Sequence, residues 1–390
     1  MIMEDKNTEF ESICPYTDQE AVKALNEVAG HPAIPFLSKA LFPDQPAGFL
    51  ANAIKGVHSI DEFQQVVMSK AVEWCLNTTV HNFSYDGISH IKNKEGKFLM
   101  MSNHRDIILD PALTQYILFS NGVPMSEICV GDNLLSSKTI EKLLRSNRMI
   151  KVIRGVSARE LYLSSQLLSR YIRQTITSGK SSVWIAQRQG RTKDGIDMTE
   201  QGLLKMFDMS GTGTFQENFN ELNIIPLSIS YEYEPCDIRK ARELLISRSQ
   251  KYVKGPREDL HSIIIGIRQK KGNVHINIGK PLTPEEIEAA SHCDKNDRYQ
   301  AIRHAVDMRV IEGYKLWKTN YIAYDLVNGG NRFVDKYTPE DVDAFLAYTE
   351  HQMKKVERKL DKDTLRDIFW HIYSNPVESK LRLEEEKANG

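Results

Sequence analysis

Cysteine is sparse and unpatterned in this chain. Its five cysteines, Cys14, Cys75, Cys129, Cys236 and Cys293, are odd in number and scattered, and no CxxC pair occurs. That arrangement offers neither a disulfide framework nor a zinc site, and it suits a reducing interior. Net charge is lacking too. The 51 Lys and Arg against 52 Asp and Glu leave −1, so there is no global pull toward nucleic acid. No apolar run reaches the roughly 18 residues that a membrane-crossing helix needs. The longest are about seven residues, the length of a buried strand. Any membrane contact is therefore expected to be peripheral. The opening MIMEDKNTEFES has neither a basic stretch nor an apolar core, so no secretory signal is expected.

What is present is the composition of an ordinary globular protein, 41% hydrophobic and 26% charged. The first 80 residues read as helices, with Ser59-Ile60-Asp61-Glu62 as a capping box before FQQVVMSKAVEWCL. The stretch HPAIPFLSKALFPDQPAGFLANAIKGV is apolar and broken by prolines. It reads either as a helical layer packed on the domain or as a surface that touches lipid. From residue 81 the pattern changes. Strand-like runs at 98–103, 124–130, 148–153, 181–187, 221–234 and 274–279 alternate with helical patterns at 111–121, 136–147, 157–178 and 202–209. Strands alternating with helices predict an α/β fold. Gly179 is placed to stop the helix that Ser157-Ala158-Arg159-Glu160 caps. After Pro281 helices return, opened by Thr283-Pro284 and Thr338-Pro339. The last dozen residues read as a frayed, charged end. The expected organisation is thus a helical region at 1–80, an α/β domain at 81–282 and a helical region at 283–390.

Charge is unevenly spread. Between Lys138 and Lys193 there are thirteen Lys/Arg and two acids, about +11 in 56 residues. This reads as a solvated face, an anion site or an anionic membrane surface.

The decapeptide SNHRDIILDP (102–111) concentrates the reactive side chains. His104-Arg105-Asp106 matches the HRD of a protein-kinase catalytic loop. Such a loop needs an asparagine five residues after its aspartate, and here that position is Pro111. With no glycine-rich loop and no DFG either, the kinase reading fails. Asn103-His104 instead follows a buried strand, at the end where α/β proteins place their chemistry. Neutral imidazole can take a hydroxyl proton near pH 7, and a nearby carboxylate fixes its tautomer.

In this respect the chain resembles the glycerol-3-phosphate and lysophosphatidate acyltransferase superfamily, across about 130 residues and four ordered blocks. These are NHRDIILD, MIKVIRG with Arg154, IAQRQGRTKDG with Gln189, Gly190 and Arg191, and NIIPLSISYEYEP with Pro226. INIGKPL resembles the sheet segment that follows them. The resemblance implies a mixed central sheet flanked by helices, with helical additions at both ends. It implies transfer of a fatty acyl group from acyl-ACP or acyl-CoA to a hydroxyl of glycerol-3-phosphate, lysophosphatidate or a related lipid acceptor in phospholipid synthesis. No cofactor and no metal are expected beyond the acyl donor. The enzyme would be cytoplasmic, peripheral to the inner, anionic face of the cell membrane, with no nucleic-acid partner. His104 would be the base and its aspartate the orienter, with Arg154, Arg188, Gln189, Gly190 and Arg191 binding the acceptor's phosphate. Asn103 and Arg105, which flank the histidine, are counted with that substrate-binding group. Pro226 reads as structural, at a strand start, edge or bulge.

Two departures stand out. The family places four residues between histidine and aspartate. Here Asp110 lies one residue farther, and Asp106 is nearer. Asp106 could cap a turn or helix through its side chain. Asp110-Pro111 has the form of a helix N-cap with proline at the first position, which favours Asp110 with one residue inserted. Gln189 stands where the family has glutamate, losing the charge. Arg191 also follows Gly190 directly, where the family usually has one residue between. These departures motivate an alternative, a catalytically impaired module that binds lipid or acyl carrier protein.

Overall fold

The computed structural model describes residues 8–92, 94–135, 137–255 and 257–389. The first seven residues, which bear on the expected absence of a secretory signal, lie outside them. So does Ser136, where the expected helix 136–147 begins.

Seven strands form one sheet: β1 (Val80–Asp86), β2 (Leu99–Ser102), β3 (Glu127–Gly131), β4 (Met149–Val152), β5 (Val183–Ala186), β6 (Ile224–Tyr231) and β7 (Gly272–Ile278). Their order is β1-β7-β6-β2-β5-β3-β4. All pairs are parallel except β6 with β7. The sheet is therefore mixed, and β2 to β6 all end on one edge. Six strands follow from apolar runs. β1 does not, because it is a half-exposed edge strand with no such run. Pro226 is the third residue of β6. It precedes the first β6–β7 pair, Leu227 with Ile278, and its carbonyl accepts the Gly279 N–H at 2.8 Å. A missing N–H is tolerated where a ladder begins.

Strand alternation builds two cores. Leu99, Met101, Ile150, Val183 and Ile185 pack one face against the helices Ala158–Thr177 and Gln201–Asp208. Met100, Ile128, Trp184, Ile225 and Leu227 pack the other against the helix Leu109–Ser120. The helices Pro284–Ser291 and Asp297–Gly313, expected in the C-terminal region, also pack into the first of these cores through Ile287, Ile302, Val306 and Val310. A separate C-terminal cluster joins Ile238 and Ala241 to Ile322, Phe345, Phe369 and Tyr373. The proline-broken N-terminal stretch buries Ile34, Phe42, Leu50 and Ile54 in its own cluster, while Phe36 stays 70% exposed.

The chain end departs from its expected fraying. A single helix runs Lys362–Asn389. Leu383 is buried, and Lys380 Nζ holds the Glu312 carbonyl at 3.0 Å, so the last turns are tied to the helix Asp297–Gly313.

The helix Lys362–Asn389 also packs on the segment that follows β5, where Asn375 Nδ2 donates to the Asp194 carbonyl at 2.7 Å. Gly195 has φ +86°, and a Cβ there would sit 2.3 Å from the Ile372 carbonyl oxygen. Gly195→Ala is expected to lower the unfolding free energy by about 2 kcal/mol or more, from the strained φ and the clash together. Urea unfolding monitored by circular dichroism measures it. An unchanged midpoint would contradict this packing.

Candidate active site

The end of β2 is stitched to β6 by Asn103. Its Nδ2 donates to the Ile229 carbonyl (3.0 Å) and to Asp197 (2.9 Å), and its Oδ1 accepts the Ile229 N–H (2.7 Å). The next residue, His104, is partly exposed at 14% of its side chain. Its Nδ1 lies 2.9 Å from Asp110 Oδ2. A nitrogen facing a carboxylate carries the proton, so Nε2 keeps the lone pair.

Asp110 Oδ2 accepts two further donors, the N–H groups of Arg105 (2.6 Å) and Asp106 (2.9 Å). Its Oδ1 accepts the Tyr231 hydroxyl at 2.8 Å. The residues between His104 and Asp110 thus wrap around the carboxylate. The extra residue is taken up in the turn, and Asp110, not Asp106, reaches the imidazole.

The expected Asp110 cap fails at the same time, and the expected Asp106 cap is present. The helix begins at Leu109, so Asp110 lies inside its first turn and does not cap it. Asp106 does that work: its Oδ1 accepts the N–H groups of Ile108 (2.9 Å) and Leu109 (2.8 Å). Asp110 points back from the helix N-terminus, where the macrodipole favours negative charge.

His104 lines a cavity of about 560 Å³. Its interior is apolar, with Val72, Ile108, Ala112, Ile128, Leu144 and Trp184 among the lining residues. Gln64 and Met68 also line it, and they belong to a π-helical turn, Gln64–Met68, that interrupts the expected helix. Four cations, Arg154, Arg191, Lys254 and Arg257, and two acids, Glu258 and Asp259, border the cavity, and Lys254 pairs with Asp259 at 2.7 Å. Gly131 makes room for Arg154, since a Cβ there would lie 2.9 Å from the guanidinium carbon. Burial pushes the Arg154 guanidinium down from its usual range, and Asp132 acts in the opposite sense. One Arg191 nitrogen, Nη1, is buried with no hydrogen-bond partner among the described residues. A buried, unsatisfied guanidinium N–H beside a cavity is ready to bind an anion.

The structure corrects four of the expected substrate contacts. Asn103 is fully buried, with its amide spent on β6 and Asp197. Arg105 is fully buried as well, 2.6 Å from Asp197 and 3.5 Å from Glu234, with Tyr314 stacked at 5.0 Å. Burial opposes its charge, and the carboxylates of Asp197 and Glu234 more than offset that, holding the guanidinium well above its usual range. Neither residue lines the cavity. Arg188 and Gln189 do not line the cavity, and Gln189 is exposed. Gly190 has φ +75°, and this left-handed turn brings Arg191 round to the cavity. Open space lies where a Gly190 side chain would sit.

The basic region is also different in three dimensions. Seven of its thirteen cations pair with carboxylates, most of them distant in sequence: Lys142 with Glu27, Arg148 with Asp61, Lys151 with Glu141, Arg170 with Glu9, Arg173 with Glu221, Lys180 with Glu127 and Lys193 with Glu243. Arg145 is spent on the carbonyls of Cys14 and Glu11. Among the described residues Lys138, Arg154, Arg159, Arg188 and Arg191 have no ion pair, and two of these five line the cavity.

Sequence reasoning missed Tyr231, Lys254 and Arg257. Tyr231 shares a strand face with Leu227 and Ile229, a signal of burial but not of its partner. Nothing local marks residues 254 and 257 as cavity-lining.

No protein-family profile matches the chain. It is similar to the dihydroxyacetone phosphate acyltransferase of Mus musculus, 22% identical over 278 residues, which is 70% of this chain and 35% of that protein. The matched stretch thus spans about a third of the length of that curated relative. This match agrees with the glycerolipid acyltransferase resemblance read from the sequence. A solved structure, the 1-acyl-sn-glycerophosphate (LPA) acyltransferase of Thermotoga maritima, overlaps 76% of this chain and 95% of its own, at 14% identity and a TM-score of 0.39. So loose an overlap transfers no residue roles.

Arg105→Met is expected to destabilise the fold by about 3–5 kcal/mol, because Asp197 and Glu234 would be left buried beside a neutral side chain. Chemical denaturation measures this. A variant of full stability with weakened ligand binding would return Arg105 to the cavity.

Proposed function

We propose that the chain is an O-acyltransferase of glycerolipid synthesis, moving a fatty acyl group from a thioester to the hydroxyl of a phosphorylated glycerol or lysolipid. One observation carries the reading. His104, held by Asp110 at 2.9 Å, faces a largely apolar cavity of about 560 Å³ bordered by Arg154 and Arg191. An acyl chain suits the apolar interior, and a phosphate suits the arginine forks.

The chemistry follows from the tautomer. Nε2 accepts the acceptor's hydroxyl proton as its oxygen attacks the thioester carbonyl. Asp110 stays ionised and stabilises the imidazolium. The tetrahedral intermediate collapses with loss of the C–S bond, and the departing thiolate takes the proton back from Nε2. The ester and a free thiol result. The donor would be acyl-ACP or acyl-CoA, and the acceptor glycerol-3-phosphate, lysophosphatidate or a close relative.

The impaired-module alternative drew on two departures. The farther aspartate still meets the histidine, and Gln189 does not line the cavity. Both facts support an active enzyme.

Peripheral membrane contact fits the substrate. No helix of the described residues is long and apolar enough to cross a membrane. Leu260 lines the cavity while 48% exposed, Val253 nearby is 78% exposed, and Arg257 borders the same cavity. Apolar and cationic side chains together suit an anionic lipid surface, such as the inner face of a cell membrane.

Purified protein is expected to release free thiol from an acyl thioester only when an acceptor is added. His104→Ala should reduce turnover about 10²–10⁴-fold. An unchanged rate would end this mechanism. Arg154→Ala and Arg191→Ala should each raise KM for a phosphorylated acceptor about 10-fold or more and spare an unphosphorylated one. Equal effects on both acceptors would remove the phosphate assignment. Flotation with anionic vesicles at low salt is expected to carry the protein upward, and its absence would refute membrane contact.

A further inference from the structure

Tyr231 ends β6 and is one of the largest side chains wholly enclosed in the protein, at 1% exposure. By strand alternation it lies on the apolar face that carries Leu227 and Ile229. A phenol so placed needs a polar partner. Among the described residues its one hydrogen bond is to Asp110 Oδ1, at 2.8 Å. Asp110 is itself 1% exposed, and among the described residues that oxygen has no other donor, while Oδ2 serves His104 and two backbone N–H groups.

We propose that Tyr231 is a positioning residue that sets the basicity of His104 through Asp110. The phenol acts in two ways. With donors on both oxygens the carboxylate cannot rotate about its bond to Cβ, so Oδ2 stays aimed at Nδ1. The hydrogen bond also draws negative charge toward Oδ1 and away from the oxygen that faces the imidazole. That charge decides how strongly the imidazolium is favoured, and so how readily Nε2 takes and returns a proton.

The phenol can act here only as a donor. Burial, and then the Asp110 charge, raise its ionisation well above the ordinary tyrosine value, so it keeps its proton throughout the working range. Its place is fixed by the sheet. β6 pairs with β2, and Asn103 binds Ile229 two residues before Tyr231, so the donor and the histidine turn are carried on one rigid unit.

The kinetic consequence rests on the acyl-transfer reading, but the geometric one does not. The test therefore has two arms, both on the full chain. In the first, ring-nitrogen NMR of ¹⁵N-histidine-labelled protein follows the His104 signal, assigned by its loss in His104→Ala. Tyr231→Phe is expected to raise the midpoint of that titration by about 0.5 pH unit or more, because more charge remains on Oδ2. In the second, the acidic limb of the kcat/KM profile should move to higher pH by the same amount. kcat should fall about 3- to 10-fold, and KM for either substrate should stay within about twofold.

Replacing Tyr231 with 3-fluorotyrosine, a stronger donor of nearly the same shape, should shift the midpoint the other way. A purely structural tyrosine would give no shift of opposite sign. This second substitution also decides the matter if Tyr231→Phe fails to fold. An unmoved midpoint in the substituted proteins would overturn the proposal. Loss of acyl transfer in the unaltered protein would instead overturn the proposed function, and the NMR arm would still decide the role of Tyr231.

Discussion

Four hydrogen-bond donors converge on one buried carboxylate, that of Asp110, and the candidate site is organised around meeting that demand. A carboxylate at about 1% exposure is costly unless every lone pair is engaged. The backbone N–H groups of Arg105 and Asp106 can both point at one oxygen only if the chain curls tightly after β2. The curl then leaves the N–H groups of Ile108 and Leu109 facing inward, and Asp106 satisfies those. The two aspartates therefore divide the labour: one holds the imidazole, the other closes the turn that makes this possible.

Behind the turn lies a second polar layer, between the sheet and the C-terminal helices. Arg105 and Lys240 are two buried cations, and Asp197 and Glu234 are two buried anions. Lys240 bonds both Glu234 and the Arg105 carbonyl. Equal charge in a closed group is what makes burial tolerable. Through Tyr314 and Glu234 the HRD turn is braced by parts of the chain more than a hundred residues away. The arginine beside the histidine thus braces the site from behind and does not contact a ligand.

The cations show the same separation between what is near in sequence and what is near in space. A count of thirteen Lys/Arg within 56 residues suggests a single positive surface. Folding brings in carboxylates from Glu9, Glu27, Asp61, Glu221 and Glu243, and most of that charge is neutralised locally. What survives at the cavity is smaller and more directed: Arg154 beside Gly131, and Arg191 turned inward by the left-handed Gly190. Arg257 then joins them from a segment outside the basic stretch, where Lys254 is paired with Asp259.

The order of residues alone was enough for the α/β alternation, for six of the seven strands and for the histidine at a strand end. Those features are local. Apolar runs, capping boxes and a glycine after a helix act over a few residues, and their energetics do not depend on distant chain. The edge strand β1 carried no apolar run, so its pairing with β7 gave no local sign. The choice between Asp106 and Asp110 also had a local cue, the Asp-Pro pair. It favoured the right residue for an incomplete reason, since Asp110 does not cap the helix. Tertiary structure alone decided that Tyr231 completes the carboxylate, that Asn103 and Arg105 face inward, and that Arg191 and not Arg188 reaches the cavity. Each of those outcomes depends on which strand lies next to which, and a buried polar group takes its partner from whatever the sheet order places within about 3 Å.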